Sequence, residues 1–117
     1  MLMQELVDLL KCQVIVGADL MEGLEVTACF AADLMSDVLA FSHPGSLLIT
    51  GLASIQSAHT ADVADLAGIL FVGGKTPAEP VVDLVRNQRI PLLTTELSMF
   101  EVCGRLYASG LEPGVRP

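Results

Sequence analysis

Positive charge is scarce in this chain. Only 6 Lys and Arg stand against 14 Asp and Glu in 117 residues, a net charge of −8, and the basic residues are scattered at Lys11, Lys75, Arg86, Arg89, Arg105 and Arg116. Binding to a phosphate backbone needs a clustered basic face, so neither nucleic acid nor an anionic membrane is expected as a partner. Cysteine is sparse too: Cys12, Cys29 and Cys103 form no C-x-x-C pair. An odd count without a secretion signal points to a reducing, cytoplasmic setting. Each thiol lies in an apolar segment and reads as a small buried hydrophobe. Cys12 and Cys29 fit neighbouring strands, but no disulfide is expected. Long hydrophobic runs are missing as well, since none approaches the ~20 residues that span a bilayer. The start, Met1 to Cys12, lacks the basic residues of a signal peptide.

What the chain does have is apolar residues, at 52% and a mean hydropathy of +0.61. A chain of 117 residues makes one domain with a single core that needs no staples. The apolar surplus is expected to be buried between subunits, in a homodimer burying on the order of 1,500 Å² or more.

Met3, Leu6, Val7 and Leu10 have helical spacing, and Gln13 to Val16 reads as a strand. A loop through Gly17 and Gly23 leads to a second strand over 25–30. Asp33 is then placed to cap a helix that ends at Ser42-His43-Pro44-Gly45. From there a unit of apolar strand, turn and helix repeats three times. The strands are 46–50, 69–72 and 91–94; the helices run from about Ser54 to Leu66, Pro77 to Asn87, and Glu96 to Ala108. Continuous rather than alternating apolar strands mean parallel pairing with both faces covered. The expectation is a single α/β domain over 1–110, with a mainly parallel sheet of about five strands flanked by helices, and a C-terminal tail over 111–117. Ala58, Ala61, Ala64 and Ala67 let one helix lie close to the sheet or to another subunit. Gly104, inside the last helix, suggests a close helix crossing.

The stretch Gly73-Gly74-Lys75-Thr76 resembles the end of a nucleotide-triphosphatase loop, G-x-x-x-x-G-K-[ST]. The spacing fails, because Ile69 stands where the first Gly is required and Gly68 comes one residue too early. Ile69 to Val72 also reads as a buried strand. In parallel α/β sheets, ligands collect beyond the carboxyl ends of strands, where helix N-termini favour anions. Three successive strand ends supply Thr50 and Gly51, then Gly73, Gly74 and Lys75, then Thr94 and Thr95. These seven residues are expected to share one rim and to bind a small phosphate- or carboxylate-bearing ligand, with Lys75 as its charged member and Glu96 as a counterweight. Thr76-Pro77-Ala78-Glu79 has the form of a capping box, which accounts for Thr76 structurally. His43 and His59 lack a second His or a Cys at ligand spacing, and Asp33 and Asp37 read as cap and helix surface. No metal, cofactor or catalytic residue is expected.

The chain resembles the DRTGG domain, and is similar also to the N-terminal domain of HPr kinase/phosphorylase. The resemblance runs through Gly17, Gly23-Leu24, Asp33 to Leu39, Leu47 to Gly51, Gly73-Gly74, Ile90 to Thr95 and Phe100-Glu101. It looks most like the short stand-alone members of anaerobic bacteria. The pattern's name joins an Asp-Arg pair to a Thr-Gly-Gly. Here Leu52-Ala53 fill the first position and Val72 replaces the Thr, so only Gly73 and Gly74 carry over. The resemblance implies a non-catalytic module, regulatory or dimer-forming, of the kind that accompanies CBS domains, pyrophosphatases and phosphotransacetylases. The expected function is regulatory or small-ligand binding through an unknown partner protein, with a purely structural homodimerisation domain as the alternative.

Overall fold

The structure, a computed structural model, describes residues 1–117. Helix α1 (Met3–Leu10) leads into strand β1 (Gln13–Val16), and a short 3₁₀ turn precedes β2 (Ala28–Ala31). Three strand–helix units follow α2 (Met35–Phe41): β3 (Leu47–Thr50) with α3 (Ile55–Val63), β4 (Gly68–Phe71) with α4 (Glu79–Gln88), and β5 (Leu92–Thr94) with α5 (Met99–Ala108). A last short strand, β6 (Glu112–Pro113), closes the chain. All join one six-stranded sheet in the order β1-β5-β4-β3-β2-β6. Strands β2 to β6 pair in parallel, and β1 runs antiparallel to β5 at one edge.

Strands β3, β4 and β5 are buried at every position because both faces are covered, and they are free of polar side chains except for Thr50 and Thr94 at their carboxyl ends. Leu47, Ile49, Leu70, Val72 and Leu93 point into a core under α1 and α5; Leu48, Ile69, Phe71 and Leu92 point into a second core under α2, α3 and α4. The alanine stripe of α3 faces that second core, with Ala58 and Ala61 fully buried. It therefore serves sheet packing within the chain.

Several local expectations change. Asp33 does not cap α2, whose N-cap is Leu34 without a side-chain bond; its carboxylate instead accepts from the Thr50 hydroxyl at 3.0 Å and the Gly51 amide at 2.7 Å. The capping box at Thr76 to Glu79 is not formed. Helix α4 starts later, with Ala78 as N-cap and Pro80 in its first turn, because Pro80 fits that turn as well as Pro77 would. Gly104 meets no neighbour: a Cβ built there finds nothing within 4 Å, so no crossing inside this chain offsets the ~1 kcal/mol that a helix-interior Gly costs against Ala. Cys12 and Cys29 lie toward opposite edges of the sheet, beside β1 and in β2, and all three thiols are free.

Residues 111–116 are held against the body. Leu111 is buried in the first core, the Glu112 and Gly114 amides donate to Thr27 and Cys29, and Arg116 Nε donates to the Ser42 carbonyl at 2.9 Å. Pro113 is tolerated because β6 is an edge strand. A two-residue strand carries no periodicity that a sequence can display.

Candidate functional site

The turns after β4 and β5 are stitched together by backbone. Gly73 N–H donates to Leu97 O at 2.8 Å, Gly74 N–H to Thr95 O at 3.0 Å, and Thr95 N–H to Phe71 O at 3.0 Å. Gly73 and Gly74 both have φ +73, a left-handed region that other residues enter only at a cost. The paired glycines are thus a requirement of this turn's path.

A third element reaches the same place. Helix α1 ends at Lys11, itself left-handed at φ 54, and the antiparallel register sets Gln13 opposite Thr94. Two long-range bonds fix this junction: the Thr95 hydroxyl donates to Leu10 O at 2.7 Å, and Arg105 Nη1 donates to Leu9 O at 3.0 Å. Both acceptors are among the last carbonyls of α1, which have no partner within the helix. Arg105 also supplies the positive charge that the helix end favours and that its own last turn lacks.

Between these turns lies a cavity of about 120 Å³ lined by Lys11, Gln13, Gly74, Lys75, Thr76, Thr94, Thr95 and Glu96, none of them hydrophobic. Lys11 and Lys75 are the only lysines in the chain. Neither takes part in an ion pair, whereas Arg86, Arg89 and Arg105 each pair with a carboxylate. Glu96 lies across Gly74, where an added Cβ would sit 2.6 Å from its Oε2. The volume is below the ~300 Å³ of sites that engulf a whole drug-sized ligand. It suits one charged group of a ligand whose remainder lies outside.

Of the residues expected on the rim, Gly74, Lys75, Thr94 and Thr95 line this cavity, while Thr50, Gly51 and Gly73 do not. Thr50 is fully buried, its hydroxyl donating to Asp33 and accepting from Leu52 N–H at 3.1 Å. Gly73 is spent on the turn. Lys11 and Gln13 were not foreseen, and their only signal is the antiparallel return of β1 along β5. Thr76, read as a cap, lines the cavity. His43 and His59 are exposed, and His43 Nδ1 lies 2.8 Å from Pro44 O. Burial pushes the Cys12 thiol up to about 11 and, with the neighbouring Cys103 thiol adding to it, Cys29 to about 12. Cys103 is raised as well by burial. Thiols so shifted stay neutral at pH 7 and make poor nucleophiles.

A mainly parallel α/β sheet flanked by helices, with a polar cavity at its strand ends, defines the class of fold. Residues 5–109 match the DRTGG domain model, and the chain belongs to the DRTGG domain family. No curated protein matches it. Among solved structures, the chain is similar in fold to part of one that holds the CBS and DRTGG domains of the regulatory region of Clostridium perfringens pyrophosphatase, complexed with activator, diadenosine tetraphosphate. The TM-score is 0.75 at 18% identity, covering 94% of this chain and 47% of that one. The chain thus spans about half the length of that region. No helix is long and apolar enough to cross a membrane.

Proposed function

We propose that this chain is a non-catalytic regulatory module of the cytoplasm, which binds a small phosphate- or carboxylate-bearing ligand and acts through a partner protein. One observation carries the reading: the only two lysines of an acidic chain, far apart in sequence, line one cavity without an ion-pair partner. Lys11 and Lys75 would hold the anionic group, with Gln13, Thr76 and Thr94 as hydrogen-bonding side chains and Glu96 limiting the charge the cavity accepts. The solved neighbour supports the regulatory class, being the regulatory region of a pyrophosphatase bound to a nucleotide activator. Chain connectivity supports it too: α5 begins within one turn of Glu96, so a ligand that moves Glu96 pulls on the loop entering that helix.

Titration calorimetry with pyrophosphate and adenine nucleotides, alongside a thermal-shift series, tests this reading. Saturating ligand at a hundred times Kd should add about 2.7 kcal/mol, and Lys11→Ala with Lys75→Ala should abolish the effect without unfolding the chain. Binding that is indifferent to both lysines would sink the proposal. The structural alternative, a homodimerisation domain, is favoured by a separate observation, the bare apolar face of α5.

A further inference from the structure

The lysine cavity holds charges of both signs that do not meet. Lys11, Lys75 and Glu96 line the same 120 Å³, yet none of them takes part in any of the chain's ion pairs. Lys11 enters from the α1–β1 junction with Gln13. Glu96 stands over the Gly74 turn, its Oε2 2.6 Å from where a Cβ on Gly74 would lie. Thr94 adds a neutral group. It is 9% exposed and lines the cavity, but its hydroxyl has no protein partner, whereas the adjacent Thr95 hydroxyl has two. A hydroxyl so buried ordinarily makes a bond, so this one is free for a group that enters the cavity.

We infer that the cavity takes the head group of a free α-amino acid, an acidic one best, with Lys11 and Lys75 donating to carboxylate and Glu96 accepting from the α-ammonium. This names the ligand class of the site proposed above and rests on that reading. Charge complementarity selects the class. A plain phosphate or carboxylate answers the lysines but sets a negative group against Glu96, and like charges brought together are costly. A plain amine has the reverse fault, since it meets two lysines. An α-amino carboxylate answers both signs and leaves one lysine over, which a side-chain carboxylate satisfies. An acidic amino acid thus presents two negative groups and one positive to two positive side chains and one negative. Size and lining agree. The cavity equals the share of about four waters, room for a head group whose side chain lies toward the mouth. No hydrophobic residue lines it, so an apolar side chain gains no burial there.

Titration calorimetry of the full chain with L-aspartate, L-malate and succinate tests the inference, because the three share two carboxylates and differ in carrying an ammonium, a hydroxyl or a hydrogen on one carbon. L-Aspartate should bind about tenfold or more tighter than the other two, the difference expected when a charge-assisted hydrogen bond is left unmade. Glu96→Gln keeps the shape of an exposed side chain and removes its charge. Circular dichroism and Tm should stay as in the wild type while the order inverts, L-malate and succinate then binding more tightly than L-aspartate. Pyrophosphate, as a fourth titrant, separates this inference from the anion site beneath it. Pyrophosphate binding that needs Lys11 and Lys75, alongside succinate that binds as well as L-aspartate or a preference for L-aspartate that survives Glu96→Gln, would overturn the amino-acid assignment and leave the anion site standing. Failure of L-aspartate, succinate and pyrophosphate alike would overturn both.

Discussion

Replacing Thr95 by Val keeps the shape of a side chain that is 4% exposed and removes only its hydroxyl. That oxygen donates to Leu10 O at 2.7 Å and accepts from Leu97 N–H at 3.2 Å, so the substitution strands two backbone groups at once. Each unsatisfied buried group costs about 1–3 kcal/mol. Leu97 N–H is only partly buried and belongs at the low end of that range, while Leu10 O lies at a helix end far from water. The expected loss is about 2–4 kcal/mol. For a domain of this size 1 kcal/mol moves Tm by roughly 4 °C, which makes the fall about 8–16 °C at fixed protein concentration. Urea unfolding should give the same loss with an unchanged slope. Thr95→Ser keeps both bonds and drops one methyl, so it should lose about 1 kcal/mol. The Val variant should also bind anions poorly, because Lys11 follows directly on the carbonyl that Thr95 holds. A Thr95→Val protein within about 0.5 kcal/mol of wild type would refute the junction described for α1, β5 and the cavity.

Lys75→Ala should leave the fold intact and weaken anion binding. No sustained ATP or GTP hydrolysis is expected from the wild type, as a phosphate-release assay would show. Gly73→Ala and Gly74→Ala should each cost about 1–2 kcal/mol in urea unfolding through their positive φ, but only the substitution at Gly74 displaces Glu96 and should alter binding. The thiols predict an alkaline limb: Cys12 and Cys29 are raised from 9.0 to about 11 and about 12, so the unfolded chain sheds those protons first. Stability from this source is complete below pH 9 and is lost as pH rises toward 12. Cys12→Ala with Cys29→Ala should flatten the fall in a pH series of unfolding curves.

The strand–turn–helix units from Leu47 onward were legible because each signal there is local. Parallel strands covered on both faces show continuous apolar runs, as Leu47 to Ile49, Ile69 to Val72 and Leu92-Leu93 do. Ser54 and Ser98 cap α3 and α5 through their own side chains, accepting from Ser57 N–H at 3.4 Å and Glu101 N–H at 3.2 Å. Strand β6 had no such signal, since two residues have no period and their pairing partner, β2, lies more than eighty residues earlier. Asp33 misled for a related reason. An Asp just before a helix is a cap by local rules, and only the parallel register of β2 on β3 shows that Thr50 and Gly51 compete for the same carboxylate.

The candidate site divides along the same line. Gly74, Lys75, Thr94 and Thr95 were readable because strand-end turns of a parallel sheet face one rim, whatever the rest of the chain does. Lys11 and Gln13 were not, since they arrive on the one antiparallel strand, and a helix-to-strand turn of no special sequence gives no hint of its position. Thr50 and Gly51 lie off the cavity because the rim rule locates backbone ends and is blind to the Asp33 carboxylate that claims their polar atoms. Adding Lys11 changes the charge of the cavity. Lys75 and Glu96 alone leave the cavity neutral, whereas two lysines against one carboxylate leave it positive on a chain of −8. Local attraction then acts at short range and global repulsion at long range, and salt screens the second first. Moderate salt should therefore speed association with an anion before higher salt weakens the complex, and a stopped-flow series showing only monotonic slowing would place the anion's attraction elsewhere.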